Sequence, residues 1–321
     1  MNHHLASLLT LAFLLLTTRS ALAQEPDTRF PLFAYLTGKP TPLMMTYTPS
    51  QLDPRAEANQ RKLATSSIRA DLAALRPTFD GLILYGYHES CTPRILAVAK
   101  DLKFRAVVLA IWDPKSTVEV DGVAALAQQY QNDFALGVLV GNEGITFKRY
   151  ELEDLTIAAS RLRGKLPKTV PISTSETPVG YKFEAVVSFG DFLAPNFHPV
   201  FDRPHFDAEK AALWAREQAV DLARKGKRPV LLKESGFPHA GKDIYTPVGQ
   251  KAFWDAYLKP GLLARTADGS GAWVFYGIAF DAFDMPWKSQ ESKLPIEQYW
   301  GLFSNKRVAY PALSAWQAQQ R

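Results

Sequence analysis

The sequence predicts a single-domain α/β chain folded as a parallel (β/α)8 TIM barrel. Three observations carry that expectation. Eight short apolar runs recur along the chain, segments of helical period separate them, and the runs are continuous rather than alternating, as strands buried on both faces are.

In chain order the runs are LMMTY (43–47), GLILYGY (81–87), RAVVLAI (105–111), ALGVLVGN (135–142), VPIST (170–174), FLAPNF (192–197), PVLLKE (229–234) and AWVFYGI (272–278). Amphipathic spacing predicts helices over 55–75, 92–102, 118–130, 152–166, 207–225, 246–263 and 309–319; only the gap after the fifth run lacks a clear period. A doubly wound open sheet is the alternative architecture. Neither G-x-G-x-x-G nor G-x-x-x-x-G-K-[ST] follows the first run, which counts against its nucleotide-binding versions. No linker, repeat or low-complexity stretch divides 24–321. With 47% hydrophobic and 21% charged residues, that length reads as one globular (β/α)8 domain.

Residues 1–23 read as a signal peptide. A mostly apolar run at 5–17 precedes Ala21-Leu22-Ala23, a small-x-small cleavage pattern that sets the mature start near Gln24. The run is shorter than the roughly 20 apolar residues a membrane span needs, and no later segment is long and apolar enough. The expected location is therefore secreted or periplasmic. Cys91 is the single cysteine, which excludes a disulfide within the chain; a small buried hydrophobe is the expected role, ahead of a catalytic thiol. The formal charge of +5 falls to +4 when the leader removes Arg19 and no acid. The densest basic run, Arg224-Lys225-Gly226-Lys227-Arg228, sits where a helix should end and complements its dipole. It is too small for a nucleic-acid footprint. A monomer with a neutral partner and no cofactor is expected.

In such a barrel the chemistry sits at the carboxyl ends of the strands. The fourth run ends in Gly141-Asn142-Glu143, and the seventh in Lys233-Glu234-Ser235-Gly236. Two glutamates at equivalent strand ends should rim one pocket, and two facing carboxylates are the minimum equipment for breaking a glycosidic bond. The charge of one raises the pKa of the other and keeps an acid protonated near neutral pH. Asn142 is placed to donate to a sugar 2-hydroxyl. A bland alternative has each glutamate capping a helix or pairing with a lysine; the repeat of the pattern beside an asparagine argues against it.

The stretches VGNEG and KESGFP together resemble the retaining glycosidases of clan A that carry their carboxylates after strands four and seven. More narrowly, they resemble glycoside hydrolase family 17, the β-1,3-glucanases and related glucanosyltransferases. PNFHP (195–199), FDAFDMPWK (280–288) and EQYWGLF (297–303) agree, so the resemblance runs from 43 to 311. It implies Glu143 as general acid/base, Glu234 as nucleophile, and a β-glucan polysaccharide or oligosaccharide as substrate. Four positions depart from the pattern. Phe237 stands where tryptophan is usual, His198 where tyrosine is, Met285 where an acid is, and Ile83 where relatives often have arginine. Two rivals remain: a clan A hydrolase of another β-glycan such as mannan, and a non-catalytic glycan-binding barrel.

Sugar rings stack on aromatics at a pocket rim. Tyr47, Tyr85 and Trp112 lie at or after the first three runs, and Trp287 and Trp300 after the eighth. The expected substrate-binding set is Asn142, Tyr47, Tyr85, His198 and Trp287. Trp214 and Trp254 fall within helices and Trp273 opens the eighth run, so these are expected to pack the core. His198, Asp202, His205 and Asp207 have spacings that suit a metal, but no zinc motif is present and the chemistry needs none. Ser175 and Ser235 lack the G-x-S-x-G context of a serine hydrolase.

The leader makes a direct prediction. Intact-mass measurement of protein from the native host should find a chain beginning at or near Gln24 without a disulfide. A cytosolic chain retaining Met1 to Ala23 would contradict the export reading.

Overall fold

The structure, a computed structural model, describes residues 25–266 and 270–320. The expected leader lies outside them. Nine strands are described: β1 (Met44–Thr46), β2 (Gly81–Ile83), β3 (Ala106–Ile111), β4 (Ala135–Asn142), β5 (Ile172–Ser175), β6 (Val230–Leu231), β7 (Leu263–Arg265), β8 (Trp273–Phe275) and β9 (Ile278–Ala279). A parallel sheet runs β5-β4-β3-β2-β1-β9, and a second runs β6-β8-β7. The segment around Leu193 and Asn196 joins them. The amides of Asp191 and Asn196 donate to the carbonyls of Ile172 and Glu176, while Leu193 and Asn196 bridge in parallel to Val230 and Glu234. The eighth run closes the ring by dividing its pairing, β8 to β6 and β9 to β1. The result is the expected (β/α)8 barrel.

Residue alternation along the strands separates two apolar regions, because successive side chains leave opposite faces. Met44, Ile83, Val108, Leu139, Leu231, Phe275 and Ile278 fill the barrel lumen. Met45, Leu82, Val107, Val138, Val230 and Val274 face the surrounding helices. Both faces are buried, which is why the runs are apolar throughout.

A short helix, Pro31–Leu36, closes the amino-terminal mouth. Leu32, Phe33 and Leu36 join the lumen cluster, and Phe33 meets Phe192 edge to face at 5.9 Å between ring centres. Gly137 at the start of β4 admits the plug, since a Cβ there would lie 2.7 Å from Leu32 Cδ2. Tyr35 fixes it to the barrel by donating to Asp80 at 2.6 Å.

Several expected elements differ in detail. The 55–75 helix divides into Glu57–Lys62 and Thr65–Leu75, because Leu63 turns inward with extended backbone and is buried. The 246–263 helix ends at Leu258, before Pro260, and Leu263 belongs instead to β7, an antiparallel strand outside the barrel. In the sixth run, Pro195 has no amide to give a ladder, and only isolated bridges form. The last helix is shorter than 309–319, spanning Leu313–Gln317. Cys91 is buried, and burial pushes its thiol up to about 11, away from nucleophile chemistry.

The plug yields a stability prediction. Phe33→Ala should cost about 3–5 kcal/mol, the range for a buried phenylalanine, in reversible urea denaturation. A loss below about 1 kcal/mol would mean the helix is not part of the cooperative core.

Candidate active site

Glu143 follows the last residue of β4 with a left-handed backbone, φ 56°. A non-glycine residue adopts that conformation only where its surroundings demand it. Gly141 (φ 79°) and Gly144 flank it for a steric reason: a Cβ on Gly141 would lie 2.1 Å from Tyr150 Oη, and one on Gly144 would lie 1.9 Å from Tyr150 Cε1. Both glycines thus let the Tyr150 ring pack against the turn, where its Oη accepts the Gly144 N–H at 3.0 Å. The Glu143 amide donates to the Ser175 carbonyl at 2.7 Å. Glu176 accepts the next two amides, Ile145 and Thr146, at 2.9 and 3.1 Å. The reversal after β4 is therefore pinned at four consecutive amides.

The seventh strand end is built differently. The amides of Lys233 and Glu234 both donate to the Pro195 carbonyl, at 3.1 and 3.2 Å. Two consecutive residues opposite one is a bulge, and it turns two neighbouring side chains to the same side. Lys233 Nζ donates to Glu234 Oε1 and, at 2.9 Å, to Asn142 Oδ1. His198 Nε2 lies 3.2 Å from Glu234 Oε2, so both carboxylate oxygens are engaged. The Asn196 side chain ties the sixth run to β4 and β5: its Nδ2 donates to Glu143 Oε1 at 2.8 Å and to Asn142 Oδ1 at 3.2 Å, while its Oδ1 accepts from Ser175 at 3.0 Å. With the Asn142 oxygen held twice, its amide N–H2 is the end left for a ligand.

The two carboxyl groups are driven apart electrostatically. Burial would raise Glu234, but the Lys233 charge and the His198 hydrogen bond and charge hold it well below the ordinary carboxylate range. Glu143 moves upward, because burial and the Glu234 charge outweigh His198, Asn196 and Lys233. Burial lowers His198, yet its hydrogen bond to Glu234 and the charges of Glu234 and Glu143 leave it raised overall. The two carboxyls are thus shifted in opposite directions, the kind of separation by which environment divides acid from base work.

Ligand atoms of Glu143, His198 and Glu234 lie within 4.8 Å of one another. They do not fit a metal well, because the Lys233 ammonium already sits on Glu234 and would repel a cation. Two of the other residues whose spacing could suit a metal are placed elsewhere. Asp207 caps the helix Ala208–Gly226 by accepting from the Lys210 amide, and His205 is exposed.

Among the expected substrate residues, Asn142, Tyr85 and His198 gather around the two glutamates. The Tyr85 ring lies 4.6 Å below Lys233 Nζ, and burial with the charges of Glu234 and Asp281 holds its phenol well above its usual range. Tyr47 does not join them. Its side chain is on the helix-facing side of β1, buried, with the hydroxyl 3.1 Å from Asp71; Asp71 also pairs with Arg307. A residue directly after a strand alternates faces like any other, and Tyr47 falls on the outer one. Trp287 is half-buried against the core, with no described contact to the glutamates. Trp300, one of the expected rim aromatics, is buried beside the site, its ring 5.1 Å from His198 and 5.4 Å from Phe280. Phe237 packs on Phe253 and Tyr245, and Met285 is buried, so neither departure projects a polar group into the mouth. Trp214, Trp254 and Trp273 are core residues as expected.

Asn196 and Lys233 were not singled out from sequence. Asn196 lies within the PNFHP stretch, but its role depends on where the sixth strand's irregular end falls. Lys233 would leave the opposite face of a regular strand from Glu234, and only the bulge brings them together.

The family model for the BtgE/BtgC glycoside hydrolase domain matches residues 44–301. A protein of Aspergillus niger bearing the name of a glucan endo-1,3-β-glucosidase, btgC, is 24% identical over 85% of this chain and 41% of its own length. One of Saccharomyces cerevisiae bearing the name of a family 17 glucosidase, SCW4, is 32% identical over 37% of this chain and 28% of its own. The chain thus spans less than half the length of these curated relatives. Among solved structures, a glycoside hydrolase family 17 β-1,3-glucanosyltransferase from Rhizomucor miehei superposes with a TM-score of 0.63 at 19% identity, covering 86% of this chain and 97% of that one. A β-glucuronidase from an uncultured Clostridium sp. gives 0.60 at 14% identity, covering 87% and 50%. These likenesses identify the barrel. Matched over most of its length with both strand-end glutamates inside the matched region, the chain belongs to the BtgE/BtgC glycoside hydrolase domain family.

Proposed function

We propose that this protein is an exported, retaining glycoside hydrolase that cleaves β-1,3-glucosidic linkages in β-glucans. The observation that carries the proposal is the Glu143–Glu234 pair: two carboxyl groups with ligand oxygens within 4.8 Å, shifted in opposite directions. That spacing is closer to the roughly 5–5.5 Å of retaining enzymes than to the roughly 6.5–9.5 Å of inverting ones. The β-1,3 linkage rests on the relatives: the names of the Aspergillus niger and Rhizomucor miehei proteins both specify it. Laminaritriose is bound in a mutant of the latter.

In the proposed reaction a Glu234 oxygen attacks the anomeric carbon as the bond to the leaving oxygen breaks, and Glu143 gives its proton to that oxygen. The resulting glycosyl ester on Glu234 is then attacked by water or by a hydroxyl of a second glycan, whose proton passes to Glu143. Hydrolysis and transglycosylation are thus two fates of one intermediate. Asn142 supports the first step by donating its free amide N–H to the 2-hydroxyl. A non-catalytic barrel that merely binds glycans has no need of two adjacent carboxyls shifted in opposite directions, which favours the enzyme.

Glu234→Ala should abolish turnover of laminari-oligosaccharides. Glu143→Ala should lose least on aryl glycosides with good leaving groups, and azide should restore part of its activity and yield a β-glycosyl azide. An α-azide, or rescue of the Glu234 variant alone, would mean the two roles are exchanged.

The opposite shifts also fix the pH profile. Activity needs Glu234 ionised, so it falls as pH drops through a lowered pKa. It needs Glu143 protonated, so it also falls as pH rises through a raised one. The kcat/KM profile should be a bell, and Glu143→Gln assayed on an activated aryl glycoside should lose the alkaline limb while keeping the acid limb. Retention of the alkaline limb would assign it to another group.

A further inference from the structure

Lys233 is not explained by the two-carboxylate chemistry itself. It is 2% exposed, a rare position for an ammonium. It does not fill space against apolar neighbours alone, because its Nζ reaches both Glu234 Oε1 and Asn142 Oδ1 and lies over the Tyr85 ring. The bulge at Pro195 is what brings it to the pocket side. The second strand, where relatives often have arginine, has Ile83 instead, buried in the lumen. The positive charge beside the nucleophile therefore comes from the nucleophile's own strand.

We propose that Lys233 is the positioning residue of this site: it is the fixed counter-charge of the Glu234 carboxylate and, by holding Asn142 Oδ1, it turns the Asn142 amide N–H2 toward the substrate. The proposal rests on the retaining reading of Glu143 and Glu234. One ammonium thereby couples the attacking carboxylate to the group that binds the sugar next to the reacting carbon. Lys233 acts through these two residues and need not touch the sugar.

Other charged groups face Glu234 and set what Lys233 must do beyond them. His198 reaches Oε2 from the sixth strand end, Glu143 stands opposite on the fourth, and Tyr85 lies on the second. Lys288, after the eighth, is committed to Asp281 at 2.9 Å and acts on Glu234 only through space. His198 and Lys233 are thus the two direct partners of the Glu234 carboxylate.

The test compares Lys233→Met, similar in length but neutral, with Lys233→Gln, neutral but able to hydrogen-bond, and Lys233→Arg, which keeps the charge. Their kcat/KM profiles on laminari-oligosaccharides are read together with thermal melting. Losing the counter-charge raises the Glu234 pKa, so the acid limb should move to higher pH by about 1–3 units in the Met and Gln variants. Their kcat should fall by roughly 10²-fold, the usual loss for one preorganised electrostatic partner, and Lys233→Arg should recover part of both. An acid limb unmoved in folded Met or Gln variants would overturn the proposal. If neither folds, the double variant Lys233→Met/Glu234→Gln decides. A folded double variant supports charge pairing, whereas an unfolded one marks Lys233 as structural packing and overturns it. Absence of wild-type turnover would instead sink the glucanase reading, so the two failures are distinguishable.

Discussion

Glu234 brings a negative charge to a position only 5% exposed, and the mouth of the barrel is arranged around that fact. A buried carboxylate without partners would neutralise by taking up a proton. Two direct partners prevent this, and they arrive from different strand ends. Lys233 comes through a bulge in Glu234's own strand, and His198 from the segment after Asn196. Lys233 in turn holds Asn142 on β4, and Asn196 holds both Asn142 and Glu143. The hydrogen bonds that keep one acid ionised thereby lock the ends of the fourth, sixth and seventh strands together. Burial and that same retained charge together raise Glu143.

The barrel separates this polar mouth from an apolar base. The lumen is filled by side chains from the strands and by the Pro31–Leu36 helix at the opposite end, so the strands enter the site from a packed support. The exposed apolar side chains then fall largely on the segments following strand ends: Trp112 after β3, Phe147 after β4, Phe183 after β5 and Phe201 after the sixth run. The Arg149 guanidinium lies 4.1 Å over the Trp112 ring and also donates to the Asn142 carbonyl, which ties one such aromatic to the turn that carries Glu143. An apolar surface of this kind beside a polar mouth suits a sugar chain, whose rings present both characters.

Much of this was legible in the sequence, for identifiable reasons. The continuous apolar runs record burial on both faces, and Glu143 and Glu234 mark where two of those runs stop. The reason for Gly141 and Gly144, the Tyr150 ring, required the fold. Three kinds of feature escaped. Tyr47 lies at a strand end like Tyr85, but the face it occupies depends on register, and it packs outward onto Asp71. Lys233 reads as pointing away from Glu234 under regular alternation, and a bulge reverses this. The Pro31–Leu36 plug is too short to have a helical period, so its six residues gain meaning only when set against the open end of the barrel.

The most direct test of the central claim is to trap the intermediate. Wild-type protein is treated with a 2-deoxy-2-fluoro-β-laminaribiosyl fluoride, digested, and its peptides are sequenced by mass spectrometry. The account predicts one added glycosyl group, carried by Glu234 in the peptide containing Lys233-Glu234-Ser235-Gly236. A label on Glu143 would contradict the assignment of roles. No label on either glutamate, in protein that turns over laminari-oligosaccharides, would contradict the double-displacement mechanism itself.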